Sequence, residues 1–329
     1  MNALHTPICE YFGIEYPIFL AGMGGVSTAP LVAAVSNAGG LGVIGAATMG
    51  PEELREQIEQ TRSLTDKPFA VDLLAPNPDR IRPQIDVIYE LDVKVFVAGL
   101  AVPAEFIGEM HRRGMKVIVM CGKVRHAQKS EQAGADVVAA QGTEAGGHTG
   151  EIGALALIPQ TVDAVKIPVL AAGGIVDGRG VVACLALGAQ GVVIGTRFIA
   201  SQESQAAQGY RQAIVDAHDD DTMRTRAYTG KPARTIKTDY AEEWETRTDE
   251  IQAFPMQAGI SVANHVMDYM GHTPIFDVHR TFLPAGQGSG GIHEIKPAAQ
   301  IFRDIVNEAE TIIRERFGGA VPTRTGDRL

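Results

Sequence analysis

Between residues 17 and 196 the chain repeats one unit eight times: a short apolar run, a glycine-rich or polar loop, then a stretch with apolar residues at three-to-four spacing. The runs are PIFLAG from Pro17, LGVIGA from Leu41, FAVDLL from Phe69, VKVFVAG from Val93, MKVIVMC from Met115, ADVVAAQG from Ala135, IPVLAAGG from Ile167 and GVVIGT from Gly191. Strands so continuously apolar are buried on both faces, as in a parallel sheet, and the stretches between them carry a helical period. Helices are predicted over 29–37, 52–62, 104–113, 127–133 and 178–186, most ending near a glycine as helix C-caps do. Eight strand–helix units favour a closed barrel over an open doubly wound sheet. The expected fold is therefore α/β, a TIM (β/α)8 barrel over about residues 1–200.

The rhythm stops after Phe198. Residues 210–217 read as a helix, 218–245 as polar and irregular, and 251–270 as helical again, before the glycine-rich PAGQGSGG. An amphipathic helix over 297–317 and a disordered tail to Leu329 follow. The expectation is a small, mostly helical C-terminal lid over 201–287, and a helix in 288–329 that returns to the barrel. A subunit contact in a homo-oligomer is the alternative use of the added segment. A net charge of −10 speaks against nucleic acid and anionic membrane as partners. Cys9, Cys121 and Cys184 are too few and too far apart for a disulfide framework or a metal site, so no metal is expected. No apolar run reaches about 18 residues and no basic-then-apolar leader precedes the barrel, so a cytoplasmic enzyme is expected.

The chemistry concentrates in 137–151, VVAAQGTEAGGHTGE, where a buried strand runs into a loop of four glycines. His148 is the only side chain in that loop able to exchange a proton near neutral pH, with Glu144 and Thr149 as its polar neighbours. A loop histidine bonded to its own backbone is the plainer alternative. In such barrels phosphate sits on the loops after the seventh and eighth strands. There AAGGIVDGRG and IGTRF offer Ala172, Gly173, Gly174, Gly195 and Thr196, each loop opening a helix whose dipole favours an anion. AGMGGVS after the first strand imitates a dinucleotide fingerprint but has Ser27 in place of the third glycine, and LGVIGA carries no ribose-binding acid, which excludes a Rossmann reading. Gly22 and Met23 instead form a flat apolar loop suited to the face of an aromatic ring, unless Met23 simply fills core.

AQGTEAGGHTG, PVLAAGGIVDGRG, GTRF and PAGQG, with VSNAGGLG near the second strand, resemble the nitronate monooxygenase family (older name 2-nitropropane dioxygenase) of FMN-dependent barrels, from about Thr6 through the last helix. Its superfamily includes FMN-dependent enoyl-thioester reductases and NADH:quinone reductases. The resemblance implies Gly22 and Met23 against the isoalloxazine, and Gln141, Gly146 and Gly147 near the flavin. It implies Ala172, Gly173, Gly174, Gly195 and Thr196 on the FMN phosphate, Gln287 beside the ring, and His148 as catalytic residue. Two positions depart from the family: asparagine is common where this chain has Asp72, and lysine occurs near the position of Met120. Because a carboxylate by the ring would disfavour its anionic reduced form, Asp72 is read as neutral or as turned toward Lys123 or Arg125.

The implied reaction is oxidation of alkyl nitronates by O₂ to a carbonyl compound and nitrite, with His148 bonding the nitronate oxygen or removing the α-proton of a neutral nitroalkane. The alternative is NAD(P)H-dependent reduction of an enoyl thioester, on CoA or a carrier protein, or of a quinone. Lys231, Arg234 and Lys237 would suit the phosphate of such a thioester, or form a solvated face. A flavin-holding sensor without turnover is a third reading, against which the placement of His148 speaks.

Overall fold

The computed structural model describes residues 3–76, 78–268, 270–271 and 276–317. All eight apolar runs form strands: β1 (Ile18–Leu20), β2 (Gly42–Gly45), β3 (Phe69–Leu74), β4 (Val95–Gly99), β5 (Lys116–Cys121), β6 (Val137–Gln141), β8 (Val169–Ala172) and β9 (Gly191–Ile194), with the two-residue β7 (Gly147–His148) outside the barrel. The eight are parallel in the order β1-β9-β8-β6-β5-β4-β3-β2. The ring closes where Leu20 N–H donates to Leu41 O at 2.9 Å and Leu41 N–H to Ile18 O at 3.0 Å.

Alternation along the strands sorts the core into two layers. Ala70, Val95, Val97, Ile118, Val137 and Ala139 face inward, packing with Phe19, Leu41, Val43 and Leu170. Val71, Phe96, Val117, Val119 and Val138 face outward beneath the helices. The helix Pro7–Phe12 adds Ile8, Cys9 and Phe12 to the inner cluster and so plugs one end of the barrel.

The helices Ala29–Asn37 and Gly178–Ala186 begin and end as their sequences predict. Pro78–Glu90 and Ala154–Ala164 carry Pro83 and Pro159 in their interiors, which break the bonded period on which a helix prediction relies. Ala298–Ile312, continued by the π-helical turn Ile313–Phe317, returns to the barrel through Ile301, Phe302, Ile305, Val306 and Ala309. Gly178 permits the close crossing, since a Cβ there would lie 2.4 Å from Ala309 N. The tail expected to be disordered, 318–329, lies outside the described residues.

Segment 201–287 differs in detail from its expected form. Its helices are Gln208–Asp216, Asp239–Glu245 and Met256–Ala263, so the helix expected over 251–270 spans only its middle. The polar stretch expected to be irregular holds a hairpin, β10 (Thr222–Thr225) with β11 (Ala233–Ile236), and β11 also pairs antiparallel with β7. The segment has its own aromatic core: the Tyr228 ring lies 5.1 Å from Tyr240 and 4.6 Å from Phe282. Among the described residues no helix is long and apolar enough to cross a membrane, and no cluster of His, Cys, Asp or Glu could hold a metal.

Candidate active site

Carried two residues toward the C-terminal rim, the inward period runs from Ala70 to Asp72, from Ile118 to Met120, from Ala139 to Gln141 and from Leu170 to Ala172. These side chains floor a cavity of about 410 Å³, a size usual for a small-molecule site. Gly22 and Met23, then Gly146, Gly147 and His148, then Gly173, Gly174, Gly195 and Thr196 form its walls. Gln287 does not line it: its side chain is exposed, and its neighbours Gly286 and Gly288 face the cavity instead. Segment 201–287 adds Thr229, Phe254, Met267 and Phe282.

The loops are held by bonds that the sequence motifs only hint at. Ser27, which spoils the dinucleotide fingerprint, pins the first loop by accepting from Met23 N–H at 2.8 Å. Glu144 and Thr149 do not act on His148. The Glu144 carboxylate accepts from Ala154 N–H at 2.9 Å, and the Thr149 hydroxyl donates to Gly142 O at 2.9 Å. PAGQG serves as a lock: Gln287 N–H donates to Glu144 O at 2.9 Å, and a Cβ on Gly286 would stand 2.6 Å from that same oxygen.

His148 pairs through its backbone with Ala233. Its ring partner is the Thr229 hydroxyl, 2.9 Å from Nε2, rather than its own backbone. Thr229 Oγ1 also donates to Lys231 O at 3.1 Å. With its single proton so placed, Thr229 accepts from Nε2–H, which leaves the Nδ1 lone pair as the basic site. Phe254 meets the imidazole edge-on at 6.0 Å. Burial, reinforced by the charge of Lys231, pushes the His148 pKa down to about 4. The ring is therefore neutral throughout the physiological range.

The native state binds fewer protons than the unfolded chain between about pH 4 and 6.5, so His148 raises stability as pH rises through that window. Its basic form is lost only below about pH 4, and kcat/KM for a neutral carbon acid should show no acid limb near pH 6.5. A limb at that pH would mean a solvated imidazole. Thr229→Val removes one buried hydrogen bond worth about 1 kcal/mol, for a loss of roughly fivefold in kcat. A shift of the acid limb should accompany it, and an unchanged pH profile would deny Thr229 a role in setting the tautomer.

The residues present suit a phosphorylated aromatic cofactor. The backbone N–H groups of Gly173, Gly174, Gly195 and Thr196 donate to no protein acceptor among the described residues. Gly173 and Gly174 have φ of +101° and +72°, a left-handed turn that presents amides to a ligand. Both loops do open a helix, Gly178–Ala186 and Thr196–Ile199, but the N-terminal amides of the first are already bonded within the protein. Asp177 caps Gly178–Ala186 by accepting from Arg179 N–H at 3.0 Å and Gly180 N–H at 3.2 Å, and Gly178 N–H goes to Glu308.

On the floor, a Cβ at Gly22 would lie 2.2 Å from Asp72 Oδ2, so only glycine fits over that carboxyl. Asp72 Oδ1 is buried without a hydrogen-bond partner. The side chain is not turned toward Lys123 or Arg125: Lys123 pairs with Glu151 at 3.7 Å and Arg125 is exposed. Burial holds the Asp72 pKa well above the usual carboxylate range.

The model of the family described as nitronate monooxygenase matches residues 5–84 and 80–308. The chain belongs to the nitronate monooxygenase family. It is 37% identical over 300 residues to a probable nitronate monooxygenase of Staphylococcus saprophyticus, covering 77% of this chain and 84% of that one. It is 41% identical over 245 residues to (3aS,4S,5R,7aS)-5-hydroxy-7a-methyl-1-oxo-octahydro-1H-indene-4-carboxyl-CoA dehydrogenase of Rhodococcus jostii, covering 74% of this chain and 69% of that one. The solved structure of FabK from Thermotoga maritima superposes with a TM-score of 0.88 at 39% identity, over 97% of this chain and 100% of that one. As a member of that family the chain is an oxidoreductase enzyme.

Proposed function

We propose that this family member binds FMN and oxidises alkyl nitronates with O₂ to a carbonyl compound and nitrite. FMN, when bound, supplies the redox chemistry, taking electrons from the substrate and passing them to oxygen. Gly22 and Met23 would carry the ring face, and the four free amides at Gly173, Gly174, Gly195 and Thr196 its phosphate.

The observation that carries the reading is a neutral imidazole beside an uncompensated cation. Lys231 is half-buried, stands 6.0 Å over the Phe254 ring, and has no acidic partner within ion-pair distance among the described residues. His148 Nδ1 can remove the α-proton of a neutral nitroalkane, or its ring can hold a nitronate oxygen, while Lys231 offsets the anion's charge. Apolar walls of Phe254, Met267 and Phe282 exclude water from the same space.

One observation favours the thioester alternative. Burial, and after it the charges of Arg125, Lys123, Lys129 and Lys231, lower the His126 pKa, so a chain of net charge −10 gathers cations at this rim. Arg234, by contrast, is buried and donates to Thr143 O at 3.0 Å, so it forms neither a solvated face nor a phosphate cluster with Lys231 and Lys237.

Mixing the flavin-loaded enzyme without oxygen separates the two readings. Loss of flavin absorbance with an alkyl nitronate and none with NAD(P)H is expected. The reverse pattern would replace nitronate oxidation with NAD(P)H-dependent reduction.

A further inference from the structure

Asp72 is an anomaly that the proposed reaction leaves unused. It stands on β3 inside the barrel, at the level where the inner layer opens into the cavity. Gly22 covers it on one side, and on the other a Cβ built on Gly99 would lie 3.8 Å from Oδ1. Neither glycine brings a side-chain donor. Asp72 is in no ion pair, and its Oδ1 is a buried oxygen with no protein partner among the described residues. The other titratable side chains on the cavity wall are His148, which is neutral, and Tyr210, whose hydroxyl donates to Pro284 O. No charged group faces Asp72 from β2, β4 or the Gly22 loop. An ionised carboxylate here would have one oxygen buried without cation or donor, an arrangement that proteins relieve by keeping the proton.

We propose that Asp72 is a neutral carboxylic acid that donates its proton in a hydrogen bond to the ring seated over Gly22 and Met23. Resting on the FMN reading for its acceptor, the proposal assigns this chain a donor that titrates. An amide at the same place would donate with equal reach but could never ionise, so the ring's surroundings would not change with pH. With Asp72 the donor is lost at high pH and replaced by a negative charge.

The test has two arms, and the first needs no cofactor. In urea unfolding of the flavin-free protein between pH 5 and 8, the native state holds the Asp72 proton while the unfolded chain has released it. Stability therefore falls as pH rises: the unfolding equilibrium constant of wild type should climb with pH relative to Asp72→Asn, by up to about tenfold per pH unit, until the native carboxyl itself ionises. Parallel pH dependences in the two proteins would overturn the neutral state. In the second arm the visible spectrum of the bound flavin is followed from pH 6 to 10. Wild type should show a transition that Asp72→Asn lacks, and identical spectra throughout would overturn the contact with the ring. A protein that takes up no flavin defeats the FMN reading while the first arm still decides the protonation of Asp72.

Discussion

His148→Asn enzyme is expected to bind flavin as wild type does and to lose about 10² to 10⁴ in turnover, the usual contribution of a positioned acid–base group. Flavin should be retained because the free amides at Gly173, Gly174, Gly195 and Thr196 lie on other loops. Asparagine keeps the β7 backbone pairing with Ala233, which should hold the 201–287 segment in place, although its shorter amide gives up the Nε2 contact with Thr229. What it cannot do is accept a proton. The loss should therefore be large with a neutral nitroalkane and small with preformed nitronate, which has no α-proton to give up. Equal losses on both substrates would recast His148 as a residue that only positions the substrate. Full activity on both would return it to structure.

Gly174→Asp is expected to purify without flavin. At φ +72° any side chain is strained, and a Cβ there would lie 3.3 Å from Glu144 Cβ. Left-handed backbone costs a non-glycine residue roughly 1–2 kcal/mol. The larger effect is charge. An aspartate about 4 Å from a phosphate is repelled by about 4 kcal/mol at an effective dielectric of about 20, about a thousandfold in Kd. Gly174→Ala carries the strain without the charge and should bind FMN weakly rather than not at all. Far-UV circular dichroism of both variants should match wild type. Retained flavin in the aspartate variant would place the phosphate elsewhere.

The barrel is legible in the sequence because its determinants are local. Each strand is buried on both faces and so reads as a continuous apolar run. Period two then tells which of its residues look inward, enough to put Asp72, Met120 and Gln141 on one floor. The glycine loops are legible for the same reason, since a left-handed φ at Gly173 and Gly174 leaves its mark at those positions themselves.

What stays hidden is what distant segments do to one another. Nothing near His148 in the sequence names Thr229, 81 residues away, because the contact is made by the pairing of β7 with β11. Glu144 looks like a catalytic neighbour and is spent on Ala154 N–H. Arg234, in a polar stretch, reads as a surface cation, but its place is decided by the carbonyl of Thr143 and the hydroxyl of Thr222. Gln287 belongs to a motif whose glycines face the cavity while its own side chain points to solvent. Alternation gives the direction of Asp72 but not its lack of a partner, which depends on glycines at both 22 and 99.

The cavity at the C-terminal rim, with its single phosphate cradle, is proposed as the site of one flavin mononucleotide. This assignment is tested most directly by heat-denaturing the purified protein and identifying the released chromophore by absorbance and chromatography. A yellow protein that releases FMN in near-stoichiometric amount is the result predicted. Release of FAD, or a colourless protein that stays colourless after incubation with FMN, would contradict it.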